Sequence, residues 1–192
     1  MEINLFTGAD RGFLGGHLKK NITGSNIDYG DILNYKKACC SNLFHFAGSS
    51  DDFDFNDQEK TVNSIVIGTM NMLKIAKENN AKFIFASTKG VESPNNVYCY
   101  SKLLMEKFIQ DNYDDWVILR IPRVYDKTRN KGLMKKLRLN MVSDNDMCKK
   151  IEYITLDSFI NQTLKVVNQR NIIYNYNNTR VNTIREIKDL YT

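Results

Sequence analysis

Four short runs of nearly continuous apolar residues, separated by longer stretches of helical periodicity, constrain the fold of this chain more than any other feature. Strands buried on both faces of a parallel sheet carry apolar residues at almost every position. Two intervening stretches, 58–80 and 95–112, instead repeat apolar residues three and four positions apart, as helices do. This alternation predicts an α/β fold with a Rossmann-like, doubly wound parallel sheet. The four runs are INLFT (3–7), NLFHFAG (42–48), KFIFAST (82–88) and WVILRIP (116–122).

The segment available for the first helix and the second strand is short, and the pattern of the sequence changes after residue 125. Residues 16–31 must hold the first helix and the second strand, and a crossover takes at least about 10 to 12 residues, so both elements are abbreviated. We predict a single domain over 1–192, with a Rossmann part at 1–125 and a small C-terminal appendage at 126–192. The elements predicted in the appendage are helix 132–139, strand 151–155, helix 156–167, strand 171–176 and helix 183–191.

Composition limits the classes of protein to consider. The length of 192 residues allows one domain with a real core, and 42% hydrophobic residues with two prolines indicate a globular chain. The net charge of +5 fits an anionic ligand but is too small and scattered to indicate nucleic acid. No apolar run approaches the roughly 20 residues of a membrane helix, and no signal peptide is evident, so we expect a cytoplasmic protein without membrane contact. The four cysteines lack the spacing of a metal site, so no bound metal is expected.

The first apolar run leads directly into a glycine-rich segment, TGADRGFLGG. Gly8, Gly12 and Gly15 would let the chain turn sharply and bring backbone amides against a pyrophosphate at the start of a helix. Glycine tolerates the positive φ angles and the close approach that such a turn needs. An ordinary turn is the alternative, but the position between the first strand and a helix favours nucleotide binding.

A second candidate for chemistry is the pair formed by Tyr98 and Lys102 in NNVYCYSKLLMEKF. Residues four apart share one face of a helix, whereas Tyr100, two before the lysine, does not share it. A free tyrosine has a pKa near 10, so accepting and giving a proton near pH 7 requires lowering this pKa by about 3 units, which corresponds to about 4 kcal/mol. The attraction of one ammonium group at about 4 Å, in an effective dielectric of about 20, supplies about that much. Tyr98 is therefore a candidate proton carrier, with a half-buried packing tyrosine as the alternative.

The motifs, taken in order along nearly the whole chain, resemble those of the extended short-chain dehydrogenases/reductases. The resemblance is to the NAD-dependent epimerase/dehydratase family, which modifies nucleotide-linked sugars, in a shortened form. Each motif is weak alone, and their shared order makes the resemblance strong. The matching segments are TGADRGFLGG (7–16), HFAG (45–48), NSIVIGTMNML (63–73), FIFAST (83–88), YCYSKLLME (98–106), LRIPRVYD (119–126), YITLDSF (153–159) and YNYNNTRVNTIREIKDL (174–190).

This resemblance implies roles for particular residues. Thr88, with Ser87 as the neighbour that shares the role, would hydrogen-bond the reacting oxygen and orient it. Tyr98 would carry the proton, while Lys102 would lower the pKa of Tyr98 and hold the nicotinamide ribose. Arg123, which stands where the family commonly has asparagine, is a candidate for contacting a substrate diphosphate.

The resemblance also implies a set of binding residues, with NAD or NADP as the cofactor. Asp28 lies where NAD enzymes bind the adenine ribose, which favours NAD. For Asn63, the alternative to a binding role is an ordinary helix asparagine, and for Arg11 it is an arginine that points into water. His45 is expected to be a core histidine whose hydrogen bonds are satisfied. The predicted substrate residues are Ser49, Thr88 and Arg123. The predicted cofactor residues are Gly8, Arg11, Gly12, Phe13, Leu14, Gly15, Asp28, Asp31, Ile32, Phe46, Ala47, Gly48, Asn63, Ser87, Tyr98, Lys102 and Ile121.

The chain departs from the family pattern in ways that limit the predicted activity. Three residues rather than two separate Gly8 from Gly12, and the acids that dehydratases place after the threonine are replaced by Lys89 and Gly90. We therefore predict an NAD(P)-dependent nucleotide-sugar epimerase or keto-reductase rather than a sugar 4,6-dehydratase. The alternative is a trimmed, non-catalytic dinucleotide-binding sensor or scaffold. A homodimer through the helical stretches 58–80 and 97–112 is compatible with both functions.

Overall fold

The computed structural model describes residues 2–27, 32–34, 38–49 and 57–191. The predicted site residues Asp28 and Asp31 lie outside the described residues. The first elements are β1 (Asn4–Thr7), α1 (Phe13–Lys19), β2 (Ser25–Ile27), β3 (Asn42–His45), α2 (Gln58–Val62), a π-helical turn (Asn63–Ile67), α3 (Gly68–Asn79), β4 (Lys82–Thr88), a 3₁₀ turn (Lys89–Glu92) and α4 (Val97–Asn112). They are followed by β5 (Trp116–Ile121), β6 (Arg123–Tyr125), α5 (Gly132–Arg138), α6 (Asp144–Met147), β7 (Lys150–Thr155), α7 (Leu156–Val166), β8 (Ile172–Asn175), β9 (Arg180–Thr183) and α8 (Ile184–Tyr191).

The main sheet contains six parallel strands in the order β2-β1-β3-β4-β5-β8. The chain leaves β1 to form β2 on one side and then returns to form β3 on the other side of β1. This reversal is the topological switch point, where ligands of open α/β sheets bind beyond the carboxyl ends of the strands. The predicted α/β doubly wound fold is confirmed.

The central strands are buried on both faces, as their continuous apolar sequences predict. In β4, Phe83 and Phe85 belong to the core cluster that also holds side chains of α3 and α4. Ile84, between them, belongs to the opposite cluster, which includes Leu18 of α1 and Phe159 of α7. The sheet therefore separates two helical layers, and every second residue of a strand reaches the same layer.

The C-terminal part of the chain contributes to two sheets. β6, β7 and β9 form a three-stranded sheet, with β6 parallel and β9 antiparallel to β7. Tyr125 and Tyr153 of this sheet pack with Ile184 and Ile187 of α8 in a third cluster. α7 instead packs in one helical layer of the main sheet, and β8 pairs with β5 in that sheet. The division of the chain at residue 125 stays a prediction.

The predicted helix 58–80 is helical over 58–79 but contains the π-helical turn. Ser64, in that turn, is buried and donates a hydrogen bond to the backbone oxygen of Thr61 at 3.1 Å. Its Oγ also accepts a bond from the backbone amide of Ser49 at 3.1 Å, which ties the helix to the segment after β3. Within the described part of the chain, no helix combines the length and apolar character needed to cross a membrane.

Candidate active site

A cavity of about 680 Å³ lies at the carboxyl ends of β1, β3, β4 and β5, beside α4. Its position is the one expected for a ligand site in a doubly wound sheet. Most of the described residues predicted for the site line this cavity. They are Gly8, Gly12, Phe13, Leu14, Gly15, Phe46, Gly48, Ser49, Ser87, Thr88, Tyr98, Lys102, Ile121 and Arg123.

The remaining described candidates lie elsewhere. Arg11 and Asn63 are exposed and are not among the lining residues. Ile32 is 1% exposed and packs in the core beside α3. Ala47 is buried behind the cavity, where its backbone amide donates a hydrogen bond to Thr7 Oγ1 at 3.2 Å. The structure thus gives Ile32 and Ala47 packing roles beside the cavity wall.

The glycine-rich segment forms a tight turn, with no room for a side chain at three of its glycines. Gly8 has a φ of +71°, and a Cβ there would lie 2.7 Å from the backbone nitrogen of Ala47. A Cβ on Gly12 would lie 2.1 Å from the carbonyl oxygen of Gly8, and one on Gly15 would lie 2.8 Å from the same oxygen. The three-residue spacing between Gly8 and Gly12 is therefore compatible with a tight turn from β1 into α1. Such a turn brings the backbone close to anything bound in the cavity.

α4 presents Tyr98 and Lys102 to the cavity. The helix begins where the side chain of Asn96 accepts a hydrogen bond from the backbone amide of Cys99 at 2.9 Å. Lys102 is buried, and its Nζ donates to the backbone oxygen of Ala86 at 2.7 Å. The same Nζ lies 5.9 Å from the centroid of the Tyr98 ring. Tyr100 is 57% exposed and does not line the cavity, so only Tyr98 shares this face with Lys102.

Burial sets the charge of both side chains. Burial raises the pKa of Tyr98 above its ordinary value, with a smaller effect from Cys99 in the same direction and one from Arg129 in the other. Burial also lowers the pKa of Lys102 to about 7, against the attraction of Glu106. Burial is the largest influence on the pKa of Tyr98 in this geometry and favours the protonated phenol, and the proposed lowering of this pKa by Lys102 stays a prediction. Tyr98 keeps its proton near pH 7.

A buried ion pair supports the back of the site. Glu106, one turn after Lys102, is 1% exposed and accepts hydrogen bonds from Arg120 Nε and Nη2 at 2.7 to 3.2 Å. The hydroxyl of Ser87 donates to the same carboxylate at 2.5 Å. Arg120 is therefore a structural ion-pair residue, and Ser87 is held by Glu106. The sequence signal for Glu106 was its spacing of four residues from Lys102 on one helical face.

Thr88 ends β4 and caps the 3₁₀ turn. Its Oγ1 accepts a hydrogen bond from the backbone amide of Gly90 at 3.2 Å. Because the backbone amide is the donor, the hydroxyl hydrogen of Thr88 remains available to donate. Thr88 and Tyr98 line the same cavity.

His45 is a core histidine, as expected. Its Nδ1 lies 2.7 Å from Thr7 Oγ1 and its Nε2 lies 3.0 Å from Thr69 Oγ1, and the ring is fully buried. Burial, with a smaller repulsion from Lys102, lowers the pKa of His45 to about 3. The neutral ring thus links β1, β3 and α3 beneath the site.

Sequence analysis missed several lining residues. Cys99, Arg129 and Glu152 line the cavity, and Lys89 Nζ bonds both carboxylate oxygens of Glu152 at 2.7 and 2.8 Å. Glu152 lies far from the motifs in sequence and reaches the cavity only because β7 pairs with β6 and β9. Cys99 and Lys89 adjoin predicted residues, and that adjacency was the available signal.

A doubly wound sheet whose switch point meets a Tyr-x-x-x-Lys helix is the arrangement of the extended short-chain dehydrogenases/reductases. Residues 36–149, more than half of the chain, match the family model described as the RmlD substrate binding domain, and the chain belongs to this family. The family suspected from the motifs is confirmed. No curated protein matches the chain.

Solved structures share this fold at low sequence identity. The dTDP-4-dehydrorhamnose reductase from Bacillus anthracis, in complex with NADP, matches with a TM-score of 0.81 and 18% identity over 99% of this chain and 79% of that one. The ADP-L-glycero-D-manno-heptose-6-epimerase from Helicobacter pylori matches with a TM-score of 0.76 and 24% identity, over 97% and 80%. The UDP-glucose 4-epimerase from Thermus thermophilus, in complex with NAD, matches with a TM-score of 0.77 and 16% identity, over 97% and 81%.

Proposed function

We propose that this chain is an NAD(P)-dependent enzyme that transfers hydride at a hydroxyl or keto carbon of a nucleotide-linked sugar. The observation that carries the proposal is that Thr88, Tyr98 and Lys102 line the same cavity as the glycine turn. Membership of the RmlD substrate binding domain family supports it. The similar solved structures are enzymes that act on nucleotide-linked sugars, which supports this class of substrate.

The residues present fit a dinucleotide cofactor. Gly12 and Gly15 line the cavity, and the carbonyl oxygen of Gly8 leaves neither of them room for a Cβ. This bare backbone is what a pyrophosphate approaches in dinucleotide-binding turns. Phe46 and Ile121 add apolar walls. A bound nicotinamide would accept or supply the hydride. Both NAD and NADP remain candidates, with Asp28 favouring NAD.

Tyr98 would act as the acid when a keto group is reduced. Because burial keeps its proton in place near pH 7, Tyr98 can donate that proton to the oxygen of the substrate. The hydroxyl of Thr88 would donate a hydrogen bond to the same oxygen and orient it. This protonated state of Tyr98 favours the keto-reductase form of the proposal, and an epimerase would need Tyr98 to take the proton back.

Lys102 would assist by changing its own protonation. Its pKa of about 7 lies close to the pH at which the enzyme works, so it can gain or lose a proton as Tyr98 does. The bond from Nζ to the oxygen of Ala86 fixes the position of the side chain beside the cavity. The same amine would hold the nicotinamide ribose.

Basic residues near the cavity would bind the anionic part of the substrate. Arg123, Arg129 and Lys131 line the side formed by the chain after β5. A nucleotide-linked sugar carries a diphosphate, and guanidinium groups bind phosphate oxygens through paired hydrogen bonds. Arg123 is exposed, so it can turn toward such a group.

One observation favours the alternative function, a non-catalytic sensor or scaffold that binds a dinucleotide. β2 has only three residues, and it forms the edge of the sheet nearest the adenine side of such sites. A scaffold would bind a dinucleotide without turnover.

The two functions are separated by replacing Tyr98. We expect purified wild-type protein to oxidise NADH or NADPH in the presence of one member of a panel of nucleotide-linked keto-sugars, measured by the loss of absorbance of the reduced nucleotide. Tyr98→Phe should lower the rate by about 10²- to 10⁴-fold, because general acid catalysis is lost. Tyr100→Phe, on the exposed face of the same helix, is the matched control and should keep the wild-type rate. Equal rates for Tyr98→Phe and wild type would exclude the proposed role.

A further inference from the structure

An ion pair joins the 3₁₀ turn to the second sheet at the edge of the cavity. Lys89 Nζ donates to Glu152 Oε1 at 2.8 Å and to Oε2 at 2.7 Å. Lys89 directly follows Thr88, whereas Glu152 lies in β7 of the three-stranded sheet. Both side chains line the cavity. The pair therefore connects the segment that carries Thr88 with the part of the chain on the substrate side.

The 3₁₀ turn also contacts the helix that carries Tyr98. A Cβ on Gly90 would lie 2.7 Å from Cys99 Sγ, so the turn packs directly against the residue that follows Tyr98. The amide of Gly90 bonds Thr88 Oγ1 at 3.2 Å. The position of this turn thus affects both the orientation of the Thr88 hydroxyl and its distance from Tyr98.

This ion pair contributes little to the global stability of the fold. The side chains of Lys89 and Glu152 are 41% and 38% exposed, and water screens ion pairs that are this accessible. Glu152 itself is held in place by the pairing of β7 with β9, in which it stands opposite Val181. Because the carboxylate of Glu152 binds Lys89, the residue after Thr88, its effect is to restrain the 3₁₀ turn locally.

We propose that Glu152 is a positioning residue, which holds Lys89 and thereby fixes the 3₁₀ turn and the Thr88 hydroxyl relative to Tyr98. The consequence for catalysis rests on the proposed function, whereas the consequence for the turn does not. Without the carboxylate, the turn keeps its contact with Cys99 only through packing and opens more often.

The first test measures this opening without any substrate. Cys99 borders the cavity but is only 6% exposed, and its Sγ lies against Gly90 of the turn, so a rise in its alkylation by iodoacetamide above the wild-type rate reports how often the turn moves away. We expect Glu152→Gln to raise the labelling rate of Cys99, followed by peptide mass spectrometry, by about two- to fivefold. Glu78→Gln, which removes the exposed Lys74–Glu78 pair on α3, is the matched control and should leave the rate unchanged. An unchanged rate in Glu152→Gln would overturn the proposal.

The second test exchanges the two charges. With the keto-sugar substrate found for the wild type, Glu152→Gln should lower kcat by about two- to fivefold and leave KM nearly unchanged, because orientation rather than binding is lost. The double variant Lys89→Glu with Glu152→Lys should recover most of kcat and the slow labelling of Cys99. A full kcat in Glu152→Gln would overturn the positioning role. If the wild type turns over no substrate, the proposed function fails, and the labelling rates still decide the effect on the turn.

Discussion

Tyr98 and Lys102 depart from their ordinary pKa values in opposite directions for one reason, which is burial. Burial penalises the charged form of each group, so it favours the neutral phenol and the neutral amine. Near pH 7 the tyrosine holds its proton, and burial lowers the pKa of the lysine to about 7. In the function we propose, this pair would give a proton to the substrate oxygen.

His45 provides a stability prediction at the scale of one residue. Its pKa of about 3 in the folded chain lies below the ordinary 6.5, so the unfolded chain takes up the proton first as the pH falls. The stability present above pH 6.5 is therefore lost as the pH falls toward 3. We expect the free energy of unfolding to decrease by about 2 kcal/mol between pH 7 and pH 5, measured by urea denaturation.

The control for this prediction uses the other histidine. His45→Gln should remove most of the decrease between pH 7 and pH 5, whereas His17→Gln, on α1, should keep it. The interval from pH 7 to pH 5 stays above 4.5, the ordinary pKa of glutamate. Below that pH, the lowered pKa of Glu152 adds its own decrease in the free energy of unfolding. An equal pH slope in His45→Gln and wild type would contradict a buried neutral His45.

Residue spacing predicted part of the candidate site. Tyr98 and Lys102 followed from a spacing of four on one helix, and Thr88 followed from the resemblance of FIFAST to a strand of the family. Glu152 could not be predicted, because it reaches the cavity through strand pairing between segments distant in sequence. Arg129 lies in the loop after β6, where no periodicity indicates the direction of a side chain.

At the scale of elements, α4 is attached to the sheet through charge. Glu106, at the end of the face that begins with Tyr98 and Lys102, binds Arg120 of β5 and Ser87 of β4. The helix therefore has a defined position along two neighbouring strands. This attachment keeps the two cavity-facing residues of α4 at the carboxyl ends of those strands.

Removing Arg120 should weaken this attachment strongly. Glu106 is 1% exposed, so Arg120→Met leaves a buried carboxylate without its cation. We expect a loss of about 3 kcal/mol in the free energy of unfolding, measured by urea denaturation at pH 7. Arg123→Met, an exposed arginine three residues later, is the matched control and should change the value by less than about 0.5 kcal/mol. Similar values for the two variants would contradict the role of the pair.

The long elements could be predicted from the sequence over their full lengths, whereas a short element such as β6 could not. The run 82–88 is β4, and α4 covers 97–112 as predicted, because apolar periodicity extends over their full lengths. The run 116–122 did not reveal that β6 begins at Arg123. Pro122 has no N–H to donate to a neighbouring strand, so it separates β5 from a strand that pairs in another sheet.

At the scale of the whole molecule, an apolar surface on the helices remains exposed in the single chain. α2 and the π-helical turn pack against α4. Large apolar side chains project from these helices into solvent, and exposed apolar patches of this kind mark interaction sites. They are Val62, Ile67, Met70, Tyr100 and Leu104, which are 37 to 57% exposed.

This surface supports the predicted homodimer. We expect sedimentation velocity at micromolar protein concentration to give a dimer for the wild type. Leu104→Glu places a charge among the apolar side chains and should give a monomer with unchanged circular dichroism. The exposed Leu190→Glu on α8 is the matched control and should leave the dimer intact. A wild-type monomer would remove the prediction.

The central claim, that the cavity binds a nicotinamide dinucleotide, is tested most directly by titration calorimetry with NAD⁺, NADH, NADP⁺ and NADPH. The account predicts micromolar or tighter binding of one oxidised and reduced pair to the wild type. It also predicts binding at least about tenfold weaker to Gly12→Ala, whose Cβ would lie 2.1 Å from the oxygen of Gly8. Circular dichroism would verify that this variant is folded. Absence of binding of all four nucleotides to the wild type would contradict the account.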